Sequence, residues 1–374
     1  MTEVDGGIYI HVPFCRSRCI YCDFYSTTLG EEWKSQYVSA LLQEMSLRKD
    51  EVSFARASTL YIGGGTPSQL PVSELQRLLA GIQQCYGLEA DAEVTVEANP
   101  DDVTPAWLAG LQATPVNRIS MGVQSLDDDM LRLLHRRHSA TGARDAIALC
   151  REFGYTNLSI DLIYGLLGQT MDAWKRDVEA ALQLNVPHLS CYSLQIEEGT
   201  PLMKMVQEGR AEEADEELSL AMYEYLMDTL AAAGYEHYEI SNFCKPGWHS
   251  RHNSSYWQQR PYLGLGPGAH SYDGKRTRRW NLSDVKAYVA AQGNAPYESE
   301  ILSDDERYDE LVMTRLRTRQ GLPLSLLSPK RKDYCLRMAE PYLKSGKMML
   351  DGDFLRLTKS SIFISDALMS DLMC

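Results

Sequence analysis

The chain has 374 residues, 44% of them apolar and 24% charged, and a net charge of −14. That length supports a large core plus a smaller unit, in the balance of an ordinary globular protein. The acidic surface disfavours nucleic acid as a partner, the lack of any apolar run of about 18 residues argues against a membrane-spanning helix, and nine cysteines, three clustered and six scattered, argue against a disulfide framework.

The opening stretch, MTEVDGGIYIHV, is acidic and poor in apolar residues. It does not read as an export signal, so a cytoplasmic location is expected. Ile8–Val12 reads as the first strand, and Cys15, Cys19 and Cys22 follow it directly. Trp33–Leu47 carries helical spacing. Thr59–Ile62 reads as a second strand and runs into Gly63-Gly64-Gly65-Thr66. Ser73–Leu79 is amphipathic at helical period. Further strands are expected at Glu93–Glu97, Arg118–Val123, Leu158–Ile163 and Leu189–Leu194, with helices at Asp128–Leu134 and Ala143–Phe153 among them. The strands read as short apolar runs, which suits a parallel sheet buried on both faces.

Strands alternating with helices imply βα units. Six units are too few for an eight-stranded barrel, so the expected fold is α/β, a partial (β/α)6 barrel. Polar and glycine-rich segments follow several strand ends, which is where parallel α/β folds gather ligands. Residues 210–234 read as a charged helix. Residues 241–283 show little periodicity and are expected to be a long functional loop. Lys275-Arg276-Thr277-Arg278-Arg279 reads as a solvated basic loop, with an anionic small molecule as the alternative. Helices at Asp304–Leu316, Arg331–Ser345 and Ser361–Met369 and a hairpin at Met348–Leu357 suggest a small winged-helix-like C-terminal domain. The expected division is 1–290 and 291–374.

Three thiolates within eight residues can wrap one metal centre. Structural zinc takes four protein ligands, usually as paired CxxC, and no second pair exists, although His11 could complete a zinc site. A 4Fe–4S cluster usually takes four cysteines, so three leave one iron open. The amine and carboxylate of S-adenosyl-L-methionine can chelate that iron, and electron transfer from the cluster to the sulfonium would then cleave a C–S bond.

At this point the sequence resembles the radical S-adenosylmethionine superfamily. More narrowly it resembles the branch that holds oxygen-independent coproporphyrinogen III oxidase and the HemW heme chaperones, through Tyr9-Ile10-His11-Val12-Pro13-Phe14-Cys15 and over nearly the whole chain. The resemblance implies that Gly64, Gly65 and Thr66 hold the methionyl amine, and that Glu97 lies near the methionyl group. Gln124 would bond ribose or carboxylate oxygens, Arg136 (with Arg137 adjacent) the methionyl carboxylate, and Asp161 the ribose hydroxyls. Tyr9 and Tyr21 would stand beside the cluster, with core packing as their alternative role. His252-Asn253-Ser254-Ser255-Tyr256-Trp257 matches an HNxxYW signature implicated in heme binding. His252 is therefore the first candidate to bind heme, with His249 and His270 behind it.

Two departures separate the branch's functions. The oxidase pattern continues to a further cysteine, and this chain has Phe24 there. The oxidase also has an N-terminal extension, whereas fourteen residues precede Cys15 here. The expected function is a heme chaperone that holds a 4Fe–4S cluster and S-adenosyl-L-methionine and delivers heme to an acceptor protein. A coproporphyrinogen dehydrogenase or a heme-modifying radical enzyme is the alternative. Peripheral membrane contact and a homodimer are both compatible with this reading.

Overall fold

A computed structural model describes residues 5–374. Residues 1–4, part of the segment read for an export signal, lie outside it. Six strands pair in parallel and in chain order: β1 (Gly7–Val12), β2 (Ala57–Gly64), β3 (Leu88–Ala98), β4 (Arg118–Gln124), β5 (Leu158–Tyr164) and β6 (His188–Ser193). Helices α1 (Glu31–Leu47), α2 (Val72–Cys85), α3 (Pro105–Leu111), α4 (Asp128–Leu133), α5 (Ala140–Glu152) and α6 (Met171–Gln183) connect them, and α7 (Pro201–Gln207) and α8 (Glu216–Ala232) follow. Sequential strand order with helical crossovers is the signature of a barrel wall. The expected partial (β/α)6 barrel is the observed fold.

The strands are not apolar on both faces, as expected from the sequence; they alternate. One face, including Ile10, Ile62, Val96, Ile119, Ile160 and Leu189, packs under the helices in the main core. The other carries Thr59, Thr95, Arg118, Ser159, His188 and Ser190, all buried. With period two, polar residues one position apart from the core set must all face the barrel interior. There they bond one another, as in Ser159 Oγ to His188 Nδ1 at 2.6 Å.

Residues 241–283 are not a long loop. β7 (Glu236–Glu239) and β8 (Asn242–Cys244) extend the sheet antiparallel beyond β6. Helix α9 (Arg251–Trp257) follows. β9 (Tyr262–Leu265) then pairs parallel with β1, and β10 (His270–Tyr272) and β11 (Thr277–Asn281) add antiparallel to it. α10 (Val285–Ala290) leads to β12 (Tyr297–Ile301), which pairs with β11. These strands are three to five residues long, too short to show a period. A buried network locks the extension to α1. Glu44 accepts from Arg48 at 2.8 Å, Asn281 at 2.7 Å, the Gly266 N–H at 2.8 Å and the Tyr288 hydroxyl at 2.6 Å. The basic run lies largely in β11, and its three arginines are already paired. Arg276 meets Asp304, Arg278 meets Glu310 and Arg279 meets Glu51.

The C-terminal unit has its own core, from Tyr308 to Leu372. It comprises α11 (Asp304–Leu316), β13 (Leu322–Pro323), α12 (Pro329–Lys344), the hairpin β14 (Met348–Asp351) and β15 (Phe354–Leu357), and α13 (Ser365–Leu372). The order β13-β15-β14 with three helices is winged-helix-like. Ser303 starts α11 with a capping box closed by Glu306. Among the described residues, no helix is long and apolar enough to cross a membrane.

Candidate functional site

The C-terminal ends of β1 to β5 converge on one mouth. There the cysteine loop leaves β1 and is pinned at both ends. The Cys15 N–H donates to the Thr27 carbonyl at 2.8 Å, and the Thr27 N–H to Pro13 at 2.7 Å. Ile20 is buried against Leu167 and Leu202, and the Leu202 N–H donates to the Ile20 carbonyl at 2.9 Å. Cys15, Cys19 and Cys22 are free and half-buried. Burial pushes the Cys15 thiol up, and the Cys22 thiol up to about 11. A metal centre needs thiolates, so loading it would release protons. His11 cannot complete a zinc site in this arrangement. Its Nδ1 bonds the Tyr9 hydroxyl at 3.0 Å and its Nε2 the Tyr25 carbonyl at 2.8 Å.

The glycines after β2 let this loop close. A Cβ on Gly64, whose φ is +110°, would lie 2.7 Å from the His11 ring, and one on Gly65 would lie 2.9 Å from the Pro13 backbone. Only glycine tolerates both constraints. Thr66 Oγ1 then sits 3.4 Å from Cys15 Sγ. Glu97, ending β3, accepts from the Tyr61 hydroxyl at 2.7 Å and the Gly64 N–H at 3.2 Å. Burial raises its carboxyl from 4.5 to about 7, against the pull of those bonds. Asp161 on β5 is likewise raised by burial, to about 6, while a bond to Ser190 and the charge of Arg118 oppose the shift.

Gln124 stands half-buried at the end of β4 with φ +70°, beside a register shift against β5. Arg136 reaches back into the site. Its Nη1 donates to Cys19 Sγ at 3.3 Å, and its Nη2 donates to Asn99 at 2.6 Å and to the Gly122 carbonyl. It has no carboxylate partner among the described residues, and its buried Nε is unpaired. Arg137 differs, because it pairs with Asp101 at 2.8 Å and Asp102 at 3.1 Å. Each of the two adjacent arginines keeps a buried unpaired nitrogen, Arg136 Nε and Arg137 Nη1, but only Arg136 is without a carboxylate partner among the described residues. Tyr21 packs half-buried beside the cysteines, against the cluster of Ile20, Leu167 and Leu202. Tyr9 holds His11 and stacks with Tyr61 at 6.3 Å.

His252 is not at the mouth. It enters the opposite end of the barrel, where α9 closes the floor. Its Nδ1 bonds Thr59 Oγ1 at 2.8 Å and its Nε2 the Tyr256 hydroxyl at 2.8 Å. The ring stacks on Tyr61 at 5.2 Å and is 1% exposed. Glu93 clamps the start of α9 by accepting from the Arg251 N–H at 3.0 Å and the His252 N–H at 2.9 Å. Burial, then the charge of Arg118, holds the imidazole neutral by lowering its pKa to about 3. Both nitrogens are committed, so this conformation offers iron no ligand at His252. His249 is partly exposed and lies 3.3 Å from Glu236, and His270 is exposed and stacked on Trp280. Sequence reasoning missed Thr59, Tyr61, Glu93, Asn99 and Arg118. The signal was there, in the polar residues at every second strand position.

A three-cysteine loop at the first strand end of a (β/α)6 barrel defines a radical S-adenosylmethionine protein. The Radical SAM superfamily pattern matches residues 9–181, and the HemN C-terminal domain pattern matches 302–364. "Heme chaperone HemW" of Mycobacterium tuberculosis (strain ATCC 25618 / H37Rv) is 38% identical over 98% of this chain and 94% of its own. "Heme chaperone HemW" of Bacillus subtilis (strain 168) is 37% identical over 94% and 89%. A solved coproporphyrinogen III oxidase (HemN) from Escherichia coli shares the fold, with TM-score 0.85 and 23% identity over 99% of this chain and 90% of its own. The chain belongs to the HemW heme-chaperone family of the radical SAM superfamily.

Proposed function

We propose that the protein is a cytoplasmic heme carrier that holds a 4Fe–4S cluster and S-adenosyl-L-methionine at the barrel mouth and passes heme to an acceptor protein. The donor set at the mouth supports the cluster. Three half-buried thiols share one loop, with Arg136 on the Cys19 sulfur and Thr66 beside Cys15. Three cysteines fit a cubane with one open iron, to which the cofactor's amine and carboxylate can bind. When loaded, the pair supplies one-electron chemistry at the sulfonium.

The surrounding residues then have separable tasks. Glu97, backed by Tyr61, accepts from the methionyl ammonium, and the backbone at Gly64, Gly65 and Thr66 lies alongside. Arg136 offers its guanidinium to the methionyl carboxylate. Gln124 and Asp161 face the ribose. Tyr9 and Tyr21 fix His11 and the cysteine loop rather than contact ligand.

Kinship with the heme chaperones carries the choice of cargo, together with Phe24. That side chain is 64% exposed where the oxidase pattern has a further cysteine. Anaerobically reconstituted protein is expected to bind heme and release it to a heme-free acceptor. It is expected to leave coproporphyrinogen III unchanged. Sustained conversion to protoporphyrinogen would overturn the carrier reading in favour of radical decarboxylation.

A further inference from the structure

Behind the floor plug lies a cavity of about 700 Å³, between the barrel, α9 and the C-terminal unit. This is within the roughly 300–1,000 Å³ range of small-molecule sites. The two faces of α9 divide its signature segment. His252 and Tyr256 turn to the barrel, while Arg251, Ser254, Ser255 and Trp257 line the cavity.

The cavity wall is basic in a chain of net charge −14. Arg251, Arg260, Arg315, Arg319 and Arg356 line it, against Asp5 and Glu236. Three of these arginines are neutralised, by Asp91, Asp5 and Asp351 respectively. Arg315, which donates to the Gln258 carbonyl at 3.1 Å, and the exposed Arg319 have no carboxylate partner among the described residues. Arg315 Nε and the Trp257 indole N–H are also buried without an acceptor. Neither donor has a hydrogen bond to lose, and each would gain one from an anion placed in the cavity.

A second feature shares the wall. Glu236, Cys244 and His249 bring their ligand atoms within 4.8 Å of one another. His249 and Glu236 face the cavity, and the Tyr238 ring meets the imidazole edge-on at 4.7 Å. A carboxylate behind an imidazole orients it and strengthens it as a metal ligand.

One ligand class answers both features: an iron tetrapyrrole, which carries a ligand-seeking metal, a ring for aromatic contact and two carboxylates. We propose that this cavity is the cargo site, with the heme propionates on Arg315 and Arg319 and His249 as the iron ligand. The proposal rests on the reading of the protein as a heme carrier and locates that heme away from the mouth. Because the wall is largely polar, it would hold the ring loosely, as hand-over requires.

The test is a titration of the full-length reconstituted protein with ferric heme and with heme dimethyl ester, which lacks the propionate charges. Heme absorbance and electron paramagnetic resonance report binding. Arg315→Gln and Arg319→Gln are each expected to weaken heme binding roughly tenfold. The ester should bind the parent about as weakly as heme binds those variants, and the substitutions should not weaken it further. His249→Ala should change the iron's ligand-field spectrum. Arg319 is exposed and its side chain makes no bond among the described residues, so its variant isolates charge from folding. If the parent binds heme and all three variants bind it identically, with the ester equal to heme, the site is elsewhere and the carrier reading stands. If the parent binds no heme, the carrier reading fails with it.

Discussion

The mouth and the floor of this barrel are lined by the same strands and the same polar alternation, yet they are finished in opposite ways. At the mouth, Cys15, Cys19, Cys22, Glu97, Gln124 and Asp161 are half-buried, and Arg136 keeps an unpaired Nε. At the floor, Thr59, Glu93 and His252 are buried and hydrogen-bonded to one another or to α9. A polar residue facing into a barrel is therefore not by itself a functional residue. Its place along the strand decides, with the C-terminal end left open for ligand and the N-terminal end closed for stability.

Changes at the two ends should separate cleanly. The largest effect is expected at the mouth. Cys19→Ser should abolish the cluster, with bound iron and sulfide falling to background, while the melting temperature of the metal-free protein barely moves. A full cubane in that variant would break the assignment. Next comes the floor. His252→Ala removes two buried hydrogen bonds and a stacked ring, and should cost about 2–4 kcal/mol by denaturant unfolding. Cluster content at low temperature should be unchanged. An unaltered unfolding midpoint with lost heme affinity would restore His252 as a ligand and erase the distinction between the ends. Gly64→Ala should cost about 1–3 kcal/mol, because a side chain is strained at φ +110° and meets His11. It should also weaken S-adenosylmethionine binding, which calorimetry reads.

A further effect is in pH. The Glu97 carboxyl is raised on folding from 4.5 to about 7, so the folded protein binds the proton more tightly than the unfolded chain. Its contribution is fully present below about pH 4.5 and is lost as pH rises to about 7, with no further change above. Glu97→Gln should remove that decline from the stability profile of the metal-free protein. A profile identical to the parent's would mean that Glu97 ionises freely.

Much of this was legible beforehand. The six strands and the three-cysteine loop could be read because parallel strands follow apolar residues and the three cysteines fall within eight residues. The C-terminal helices and hairpin were equally legible, since Asp351-Gly352-Asp353 marks a turn and Asp304–Leu316 follows a serine cap. The extension from β8 to β11 was not, because strands of three to five residues carry no measurable period. His252 illustrates a different limit. Histidine among tyrosine and tryptophan suits a heme ligand and a buried plug equally. Only the position of α9 against Thr59, Tyr61 and Glu93 separates them, and those partners lie some 160 to 190 residues away in the chain. The Glu236, Cys244 and His249 grouping was invisible for the same reason, since β7, β8 and the turn before α9 assemble it only on folding.

The separation of the two ends is tested most directly in one anaerobic preparation of the reconstituted protein. S-adenosylmethionine should alter the paramagnetic resonance spectrum of the reduced cluster. Saturating heme should leave that change intact, and heme should bind with the same affinity whether or not S-adenosylmethionine is present. Displacement of S-adenosylmethionine by stoichiometric heme would put both ligands at the mouth and contradict the account.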